Sequence, residues 1–511
     1  MSRTPGKNRL RAFRALTIAL PLLFLLLPEA GLRLSDYGPN LDLFIPVESG
    51  GDGLARLMTN PDVALRYFSR VGRTPQPPPD VFLEEKPANG YRIFMMGGST
   101  VAGWPYPNNV MSSRVLRQRL ADAFPDRRIE VVNVGIAAVN SFTLLDLVDE
   151  ILDRDPDAIL IYAGHNEFYG ALGAASAESL GNSRWMVNTY LALLRFRTVR
   201  ALGDMVAAIR ESRIDRDQKA DYDRIYPTLM SRMIVRNVPY ASDAYRAGER
   251  NFRENLDDIL DRITAAGVPV LVSELVSNIR DMPPLASMES GGQPAAIAVF
   301  EEARALEREG RYDAARAAYY RAKDLDALRF RASEDFNETI HRVAERYGAP
   351  VVPMKSHFEA ASPHGLIGVN LMLEHLHPNA DGYLLMADAF FEAMRHNGFV
   401  APEWDSTSIR PAAWYAEHWP VTELDRALGR LRAMDLMDYW PFRPPSEPGN
   451  AFASFEPASP AEAAAYRVAA DELDFAQAHI DLAETYAAAG EHDRALREYE
   501  AIRASDPYAT R

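Results

Sequence analysis

The sequence predicts a parallel, three-layer α/β fold, because short apolar runs alternate with helical segments along its central part. Such runs, joined by helical crossovers, are typical of parallel sheets that are covered on both faces. Helices are predicted at Met111–Ala123 and Ser141–Arg154. The five predicted strands are Tyr91–Met96, Arg128–Val134, Asp157–Ala163, Val268–Glu274 and Pro350–Met354.

Composition limits the possible functions. With 511 residues the chain is long enough for more than one domain. It contains no cysteine, which excludes disulfides, thiolate metal sites and a cysteine nucleophile. The net charge of −15 argues against nucleic acid as a partner, since basic residues cluster only at the N-terminus. We expect no metal and no cofactor, because no group of Asp, His and Glu has ligand spacing.

Residues 1–36 are predicted to form an N-terminal signal anchor. Five positive charges precede the apolar run Ala15–Pro28. The run is shorter than the roughly 20 residues of a typical spanning helix, but no small-residue cleavage site follows it. We therefore expect a single-pass membrane protein whose remaining chain lies on the extracytoplasmic (periplasmic) side. The alternative is secretion after signal cleavage.

The rest of the chain divides by composition. Residues 37–90 are rich in Pro and Gly, which favours an irregular stalk. Residues 91–398 carry the α/β pattern, with mostly helical insertions at about 168–250 and 292–330. The first insertion follows a strand end, so it is expected either to cover a site as a lid, supplying its walls, or to pack on the sheet edge. Residues 399–460, rich in Pro and Trp, are expected to be a connector.

Residues 461–511 resemble a tetratricopeptide repeat in their spacing. A single repeat cannot bury its own apolar face. We therefore expect it to dock on the α/β region, on its neighbour Pro460–Phe475, or on a protein partner. The positions that carry the resemblance are Leu482, Tyr486, Gly490, Ala495, Tyr499 and Pro507.

The most informative segment is the first strand, because two glycines lead from it directly to Ser99. The carboxyl end of a parallel strand is where α/β folds place reactive groups. We expect Ser99 at the entrance to a helix, where backbone N–H groups stabilise negative charge. The alternative is that Ser99 is only a helix N-cap.

Three further places complement Ser99. Gly135 follows the second strand and offers a backbone N–H, and Asn166 follows the third strand and offers a side-chain amide. Near the end of the α/β region, Glu374 precedes His377 by three residues. A carboxylate at this spacing can hold Nδ1–H of an imidazole, which leaves Nε2 free to take the proton of a serine hydroxyl.

With these four blocks in this order, residues 90 to 398 resemble the SGNH (GDSL-like) hydrolase superfamily. The blocks are Gly97–Thr100, Val134–Gly135, Gly164–Glu167 and Glu374–His377. The resemblance implies a doubly wound α/β/α sheet of flavodoxin-like type and ester or acyl chemistry. It also implies that Ser99 is the nucleophile and His377 the general base.

By the same resemblance, the oxyanion hole consists of the Ser99 N–H, the Gly135 N–H and the Asn166 side chain. Two departures stand out. No acidic residue precedes Ser99, and Glu374 takes the place where the family usually has Asp. The extra methylene can still reach Nδ1.

Four other histidines need an assignment. His375 competes with His377 as the base, but the three-residue spacing from Glu374 favours His377. His165 is interpreted as a turn residue or as support behind the site. His357 and His364 are interpreted as surface or loop residues.

The sequence therefore predicts a membrane-tethered serine esterase acting on acyl (acetyl) esters, with acetylated glycans as candidate substrates. One alternative is an O-acyltransferase in which a hydroxyl of an envelope glycan replaces water. The other is a catalytically weak interaction protein, because the helical repeat can bind a protein partner. The second alternative is disfavoured by the complete set of Ser99, Asn166 and His377.

Overall fold

The computed structural model describes residues 26–48, 53–68, 74–177, 179–180, 183–212, 222–234, 236–405 and 407–506. Most of the predicted signal anchor, residues 1–25, lies outside this part of the chain, and the segment 26–34 is helical. Within the described ranges, no helix has both the length and the apolar character needed to cross a bilayer.

The central sheet has five parallel strands, which are β4 Gly90–Gly97, β5 Arg128–Asn133, β6 Ala158–Tyr162, β7 Val270–Ser273 and β8 Val351–Val352. Their order in the sheet is β5-β4-β6-β7-β8. In chain order this is second, first, third, fourth, fifth, which is the flavodoxin-like doubly wound arrangement. The predicted fold class is thereby confirmed, and each predicted strand is present with small shifts at its ends.

Besides the helical segments 26–34 and 222–225, the described residues contain sixteen α-helices, which are numbered in chain order. They are α1 Ser112–Ala123, α2 Ser141–Leu152, α3 Arg184–Leu193, α4 Arg197–Glu211, α5 Leu229–Met233, α6 Asp243–Ala265, α7 Ala296–Arg308, α8 Tyr312–Leu325, α9 Glu334–Tyr347, α10 Met354–Ala360, α11 Ala380–His396, α12 Ala412–His418, α13 Glu423–Met437, α14 Pro460–Ala469, α15 Phe475–Ala488 and α16 His492–Ser505.

Helices cover both faces of the sheet. Helices α1 and α11 pack together, while α6 packs against α2 and α9. Helix α1 leads from β4 to β5, whereas the later crossover helices α2, α6 and α9 lead across the sheet in the opposite direction. Because such connections are right-handed, α1 and α11 lie on one face of the sheet and α2, α6 and α9 lie on the other. The result is a three-layer α/β/α domain in which the carboxyl ends of β4, β5 and β6 lie at the same edge of the sheet.

Residues 37–90 differ from the expected irregular stalk. They contain a small antiparallel sheet of β1 Phe44–Val47, β2 Arg56–Thr59 and β3 Val81–Leu83. The rings of Phe44 and Phe82 lie 5.0 Å apart, and both rings also contact Phe94 of β4. The segment therefore packs onto the core through apolar side chains scattered among its many Pro and Gly residues.

Both predicted insertions are helical. The region 168–250 contains α3, α4 and α5, but its last residues already belong to α6, which is the crossover helix that leads to β7. The region 292–330 contains α7 and α8, which pack against each other. The sequence of this region has the residue spacing of a helix–turn–helix pair.

The C-terminal helices form a second apolar core. Helix α13 packs on α14, and α15 packs on α16, around side chains that include Leu428 and Leu482. Residues 399–460 are thus more than a connector, because α13 supplies one wall of this core. The helical unit also touches the α/β domain, where the Asn108 side chain donates to Ser505 O at 3.2 Å.

A buried histidine links the helices of this unit. His479 Nδ1 lies 2.5 Å from Glu498 Oε2, and Nε2 lies 3.7 Å from Asp425 Oδ1, which is too long for a hydrogen bond. Burial disfavours the charged ring, but the two carboxylates outweigh it and raise the pKa of His479 to about 9. The protonated ring therefore holds α13, α15 and α16 together.

This arrangement predicts a pH-dependent stability. In the unfolded chain a histidine has a pKa of about 6.5. The stabilisation is therefore complete below that pH and is lost as the pH rises through about 9. We expect the urea midpoint of the C-terminal unit to fall over this interval. His479→Gln should abolish that pH dependence, and His492→Gln, at an exposed position, should not. A wild-type midpoint that stays constant from pH 6 to 9.5 would contradict the assignment.

Candidate active site

Ser99 lies in the turn that follows β4. Gly97 ends the strand, and a Cβ there would lie 2.2 Å from Tyr162 O and 2.4 Å from a methyl of Val101, so only glycine fits. Ser99 itself is half-buried, and its carbonyl accepts the Trp104 N–H at 3.0 Å. Contrary to the expectation, no helix begins at Ser99. Turns follow it, and α1 starts only at Ser112.

The structure brings Ser99 and His377 together. His377 Nε2 lies 2.7 Å from Ser99 Oγ, although 278 positions separate them in sequence. On the other side of the ring, Nδ1 contacts Glu374 Oε1. The ring of Trp104 packs on His377 with centroids 4.4 Å apart, which fixes the imidazole plane. Serine, imidazole and carboxylate thus form a continuous hydrogen-bonded series.

Glu374 is completely buried, yet its carboxylate is well satisfied. It accepts the backbone N–H of His375 at 2.5 Å and that of His377 at 2.9 Å, in addition to His377 Nδ1. The glutamate therefore reaches the imidazole despite its extra methylene. Burial lowers the pKa of His377, because water does not solvate the charged ring. The resting ring is consequently neutral and can accept a proton at Nε2.

The geometry favours His377 over His375 as the base. The His375 ring packs between Phe330 and Phe442, with centroids 5.8 Å and 5.4 Å away, and its Nδ1 contacts Glu374. Glu374, His375 and His377 lie close enough together to hold a metal ion. However, their shared carboxylate already accepts two backbone N–H groups, and His377 Nε2 is engaged by Ser99.

The other histidines lie outside the catalytic series. His165 is buried, with Nδ1 accepting the Ala332 N–H at 3.1 Å and Nε2 paired with Tyr162 OH at 3.2 Å. Burial lowers its pKa to about 3, so the ring is neutral. His357 is half-buried and His364 is exposed. These positions agree with the support and surface roles expected of them.

Asn166 follows β6 and faces the same hollow as Ser99. Its amide nitrogen would lie 3.0 Å from a Cβ placed on Gly98, so it is close to the backbone of the Ser99 turn. The Asn166 side chain therefore offers an N–H donor beside the nucleophile.

Gly135 does not occupy the position predicted for it. Its N–H donates to Asn133 Oδ1 at 2.9 Å and is therefore not directed at the site. Glycine is required there for packing, since a Cβ would lie 2.5 Å from Ala102 N. The loop reaches the site three residues later, where Ala138 has a φ of +57° and Val139 lines the hollow.

Asn133 is a functional residue that the sequence analysis missed. It is fully buried, and its amide donates to Val101 O at 2.6 Å and to Ser113 Oγ at 3.0 Å. The side chain thereby ties the turn after Ser99 to the end of β5 and to α1. The available signal was an asparagine at the end of an otherwise apolar strand.

The hollow beside Ser99 is small and has room for little more than one water molecule. It is therefore far smaller than the about 300–1,000 Å³ that is usual for sites of drug-sized ligands. None of the described residues of the insertion 168–250 lines this hollow. The lining is Gly98, Ser99, Thr100, Val139, Tyr162, Ala163, Gly164, His165, Asn166 and Leu376.

Residues 95–385 match the model of the GDSL-like Lipase/Acylhydrolase family. The chain belongs to this family. It is a hydrolase that acts on ester bonds, which confirms the enzyme class predicted from the sequence. No curated protein matches the chain.

The chain is also similar to several solved structures at low identity. The acetyl xylan esterase AlAXEase is 12% identical, with a TM-score of 0.30, covering 59% of this chain and 98% of its own. A catalytic mutant of Axe2, an acetylxylan esterase from Geobacillus stearothermophilus, is 11% identical, with a TM-score of 0.30 and coverages of 61% and 96%. A GDSL-like lipase from Bacteroides thetaiotaomicron is 13% identical, with a TM-score of 0.28 and coverages of 60% and 88%.

Proposed function

We propose that this enzyme is a serine esterase that cleaves small acyl esters, acetyl esters above all, through Ser99, His377 and Glu374. The observation that carries the proposal is the 2.7 Å contact between Ser99 Oγ and His377 Nε2, with Glu374 on the opposite ring nitrogen. A neutral imidazole held in this way is positioned to accept the serine proton as the hydroxyl attacks.

The reaction has two stages. In the first, Ser99 Oγ attacks the ester carbonyl, its proton passes to His377 Nε2, and the imidazolium then gives that proton to the departing alcohol. In the second, a water molecule loses its proton to His377 and attacks the acyl-enzyme carbonyl. The acyl–Oγ bond then breaks, the imidazolium returns the proton to Ser99 Oγ, and the carboxylic acid leaves. In both stages Glu374 stabilises the transient imidazolium, which burial alone disfavours.

The tetrahedral oxyanion needs hydrogen-bond donors. We assign the Ser99 N–H and the Asn166 amide to this role. Because the Gly135 N–H is engaged by Asn133, the Ala138 N–H takes its place in our proposal. Supporting this replacement, Ala138 has a left-handed conformation and directly precedes Val139, which lines the hollow.

Asn166→Ala is expected to lower kcat by about 10²–10³-fold with little change in KM, because the amide acts mainly on the developing oxyanion. The measurement is steady-state hydrolysis of an aryl acetate by the full chain. The side chain is half-buried, so the urea midpoint should change little. A raised KM at constant kcat would show that Asn166 binds the substrate instead.

The small volume of the hollow supports a short acyl group. The decisive assay compares aryl acetate, butyrate and octanoate, and then acetylated oligosaccharides, with release of the free acid as readout. We expect the acetyl ester to have the highest kcat/KM. Faster octanoate cleavage would contradict the assignment of a small acyl site. If acetate left the enzyme only on an added glycan hydroxyl, the enzyme would be an acyltransferase that uses the same residues.

We also propose that residues 1–36 tether the enzyme to a membrane, with its catalytic domain on the extracytoplasmic side. The support is the apolar run Ala15–Pro28 behind five positive charges. The test is carbonate extraction followed by sequencing of the mature N-terminus. An intact N-terminus on the membrane-bound protein supports the tether, and a start near Gly31 on soluble protein would refute it.

A further inference from the structure

Helices α3 and α4 expose an unusual amount of apolar surface. We call this surface the α3–α4 patch, and its side chains are 44% to 74% exposed. Exposed large apolar side chains concentrated on two consecutive helices are unusual in soluble proteins, and large exposed apolar patches mark interaction sites. The patch consists of Trp185, Met186, Leu193, Phe196, Leu202, Met205, Val206 and Ile209.

On α4 the apolar side chains form a single stripe. Leu202, Met205, Val206 and Ile209 follow the spacing i, i+3, i+4, i+7, which places them on one face of a helix. Ala207 lies on the opposite face and is exposed as well. Since both faces are exposed, this part of α4 projects from the domain, and its apolar stripe is left without a partner among the described residues.

The charge of this segment differs from that of the whole chain. Residues 184–211 contain five arginines and only two acidic residues, whereas the chain carries a net charge of −15. Exposed apolar side chains that include Trp, Phe and Leu, accompanied by arginines, are typical of segments that lie in the interface of an anionic lipid layer. Charge and apolarity therefore indicate the same class of partner.

The N-terminal segment is fixed to this surface. Glu29 in the helical segment 26–34 is buried and accepts the N–H groups of Arg197 and Thr198 at 3.1 Å and 2.8 Å, at the start of α4. It also accepts the Thr198 hydroxyl at 2.9 Å. Burial opposes the charge, but these bonds prevail and lower the pKa of Glu29 to about 2. The helical segment 26–34 therefore lies against the start of α4, next to the patch.

We propose that the α3–α4 patch is a membrane-contact surface that lies in the headgroup region of an anionic bilayer, next to the N-terminal tether. The stripe on α4 enters the interface, while the opposite face carries Arg197, Arg200 and Asp204, which contact residues 32–39. Arg184, at the start of α3, connects the patch to the α/β domain through Asn255 at 2.7 Å and through Asp258. Two attachments, one through the tether and one through the patch, fix the orientation of the catalytic domain. This proposal does not depend on the esterase activity.

The experiment exploits the absence of cysteine in the chain. Leu202→Cys in the full-length protein receives a fluorophore, and the protein is reconstituted in vesicles of equal phosphatidylglycerol and phosphatidylcholine that contain a nitroxide-labelled lipid. We expect quenching at Leu202 to exceed that at a matched Ala207→Cys label by about threefold or more, since only the former side chain faces the interface. Replacing phosphatidylglycerol with phosphatidylcholine should weaken the quenching.

A matched pair of charge substitutions completes the test. In the labelled Leu202→Cys protein, Val206→Glu should remove most of the quenching and Ala207→Glu should leave it unchanged, since the two positions are adjacent and both exposed. Equal quenching at positions 202 and 207 would overturn the proposal. So would protection of Leu202 from the lipid quencher, which would mean that residues 15–25, a second copy or another protein covers the stripe. Disulfide cross-linking between Leu202→Cys chains would identify the second copy.

Discussion

Replacing Ser99 by alanine is expected to abolish ester turnover, with a loss in kcat of about 10⁶-fold. The change removes the only hydroxyl within hydrogen-bonding distance of His377 Nε2 in the described residues. Without it, water has to attack an ester that is merely bound. The measurement is single-turnover hydrolysis of an aryl acetate by the full-length protein.

The control for Ser99→Ala is stability. The serine is half-buried, and within the described part of the chain its Oγ hydrogen-bonds to the imidazole alone. The urea midpoint should therefore remain within the range of ordinary surface substitutions, about 0.5 kcal/mol. A variant that is folded and still active would remove Ser99 from the mechanism. If Ser99→Ala lost activity and also had a lower urea midpoint, Ser99→Cys would be measured next, because that variant keeps a nucleophile in place.

The second large effect concerns the base. His377→Ala is expected to match the Ser99→Ala defect within roughly tenfold, because the two side chains act as a unit. His375→Ala, two residues away, should retain most of the kcat of the folded protein, since its ring packs between Phe330 and Phe442.

The two histidine variants separate catalysis from packing. His375 is 1% exposed, so its removal leaves a cavity and should lower the urea midpoint, whereas kcat is measured under conditions in which the protein is fully folded. If His375→Ala were the more damaging variant for kcat and His377→Ala the milder one, the base would be two residues earlier than we place it.

Much of the fold was predictable from the sequence, because its signal is local. The strand Tyr91–Met96 is an apolar run interrupted only by Arg92, and the structure extends it only to Gly90–Gly97. The order of the five strands in the sheet followed from the family resemblance. The antiparallel strands before residue 90 were missed because Pro and Gly dominate that segment and its strands are only three or four residues long.

The site was predictable to a different extent. Ser99, Asn166 and His377 each lie in a recognisable sequence block. The sequence shows the order of these blocks, but it does not show that Ser99 Oγ and His377 Nε2 lie 2.7 Å apart. Gly135 shows the limit of such reasoning. Its N–H is engaged by a side chain two residues earlier, and a linear motif does not reveal which backbone groups are already bonded.

The insertions illustrate a further limit. The sequence placed helices in residues 168–250 but left open whether they form a lid. In the structure none of the residues lining the hollow comes from this region among the described positions, while α4 projects with an exposed apolar stripe. Where a helix packs depends on long-range contacts such as Arg184 with Asn255, which no local pattern encodes.

The most direct test of the central claim, that Ser99 is the nucleophile activated by His377, is covalent labelling. The full-length protein is treated with a fluorophosphonate and its peptides are analysed by mass spectrometry. We predict a single adduct on the peptide that contains Ser99, no adduct in Ser99→Ala, and strongly slowed labelling in His377→Ala. An adduct on a different serine, or a wild-type enzyme that hydrolyses esters while Ser99 stays unlabelled, would contradict the account.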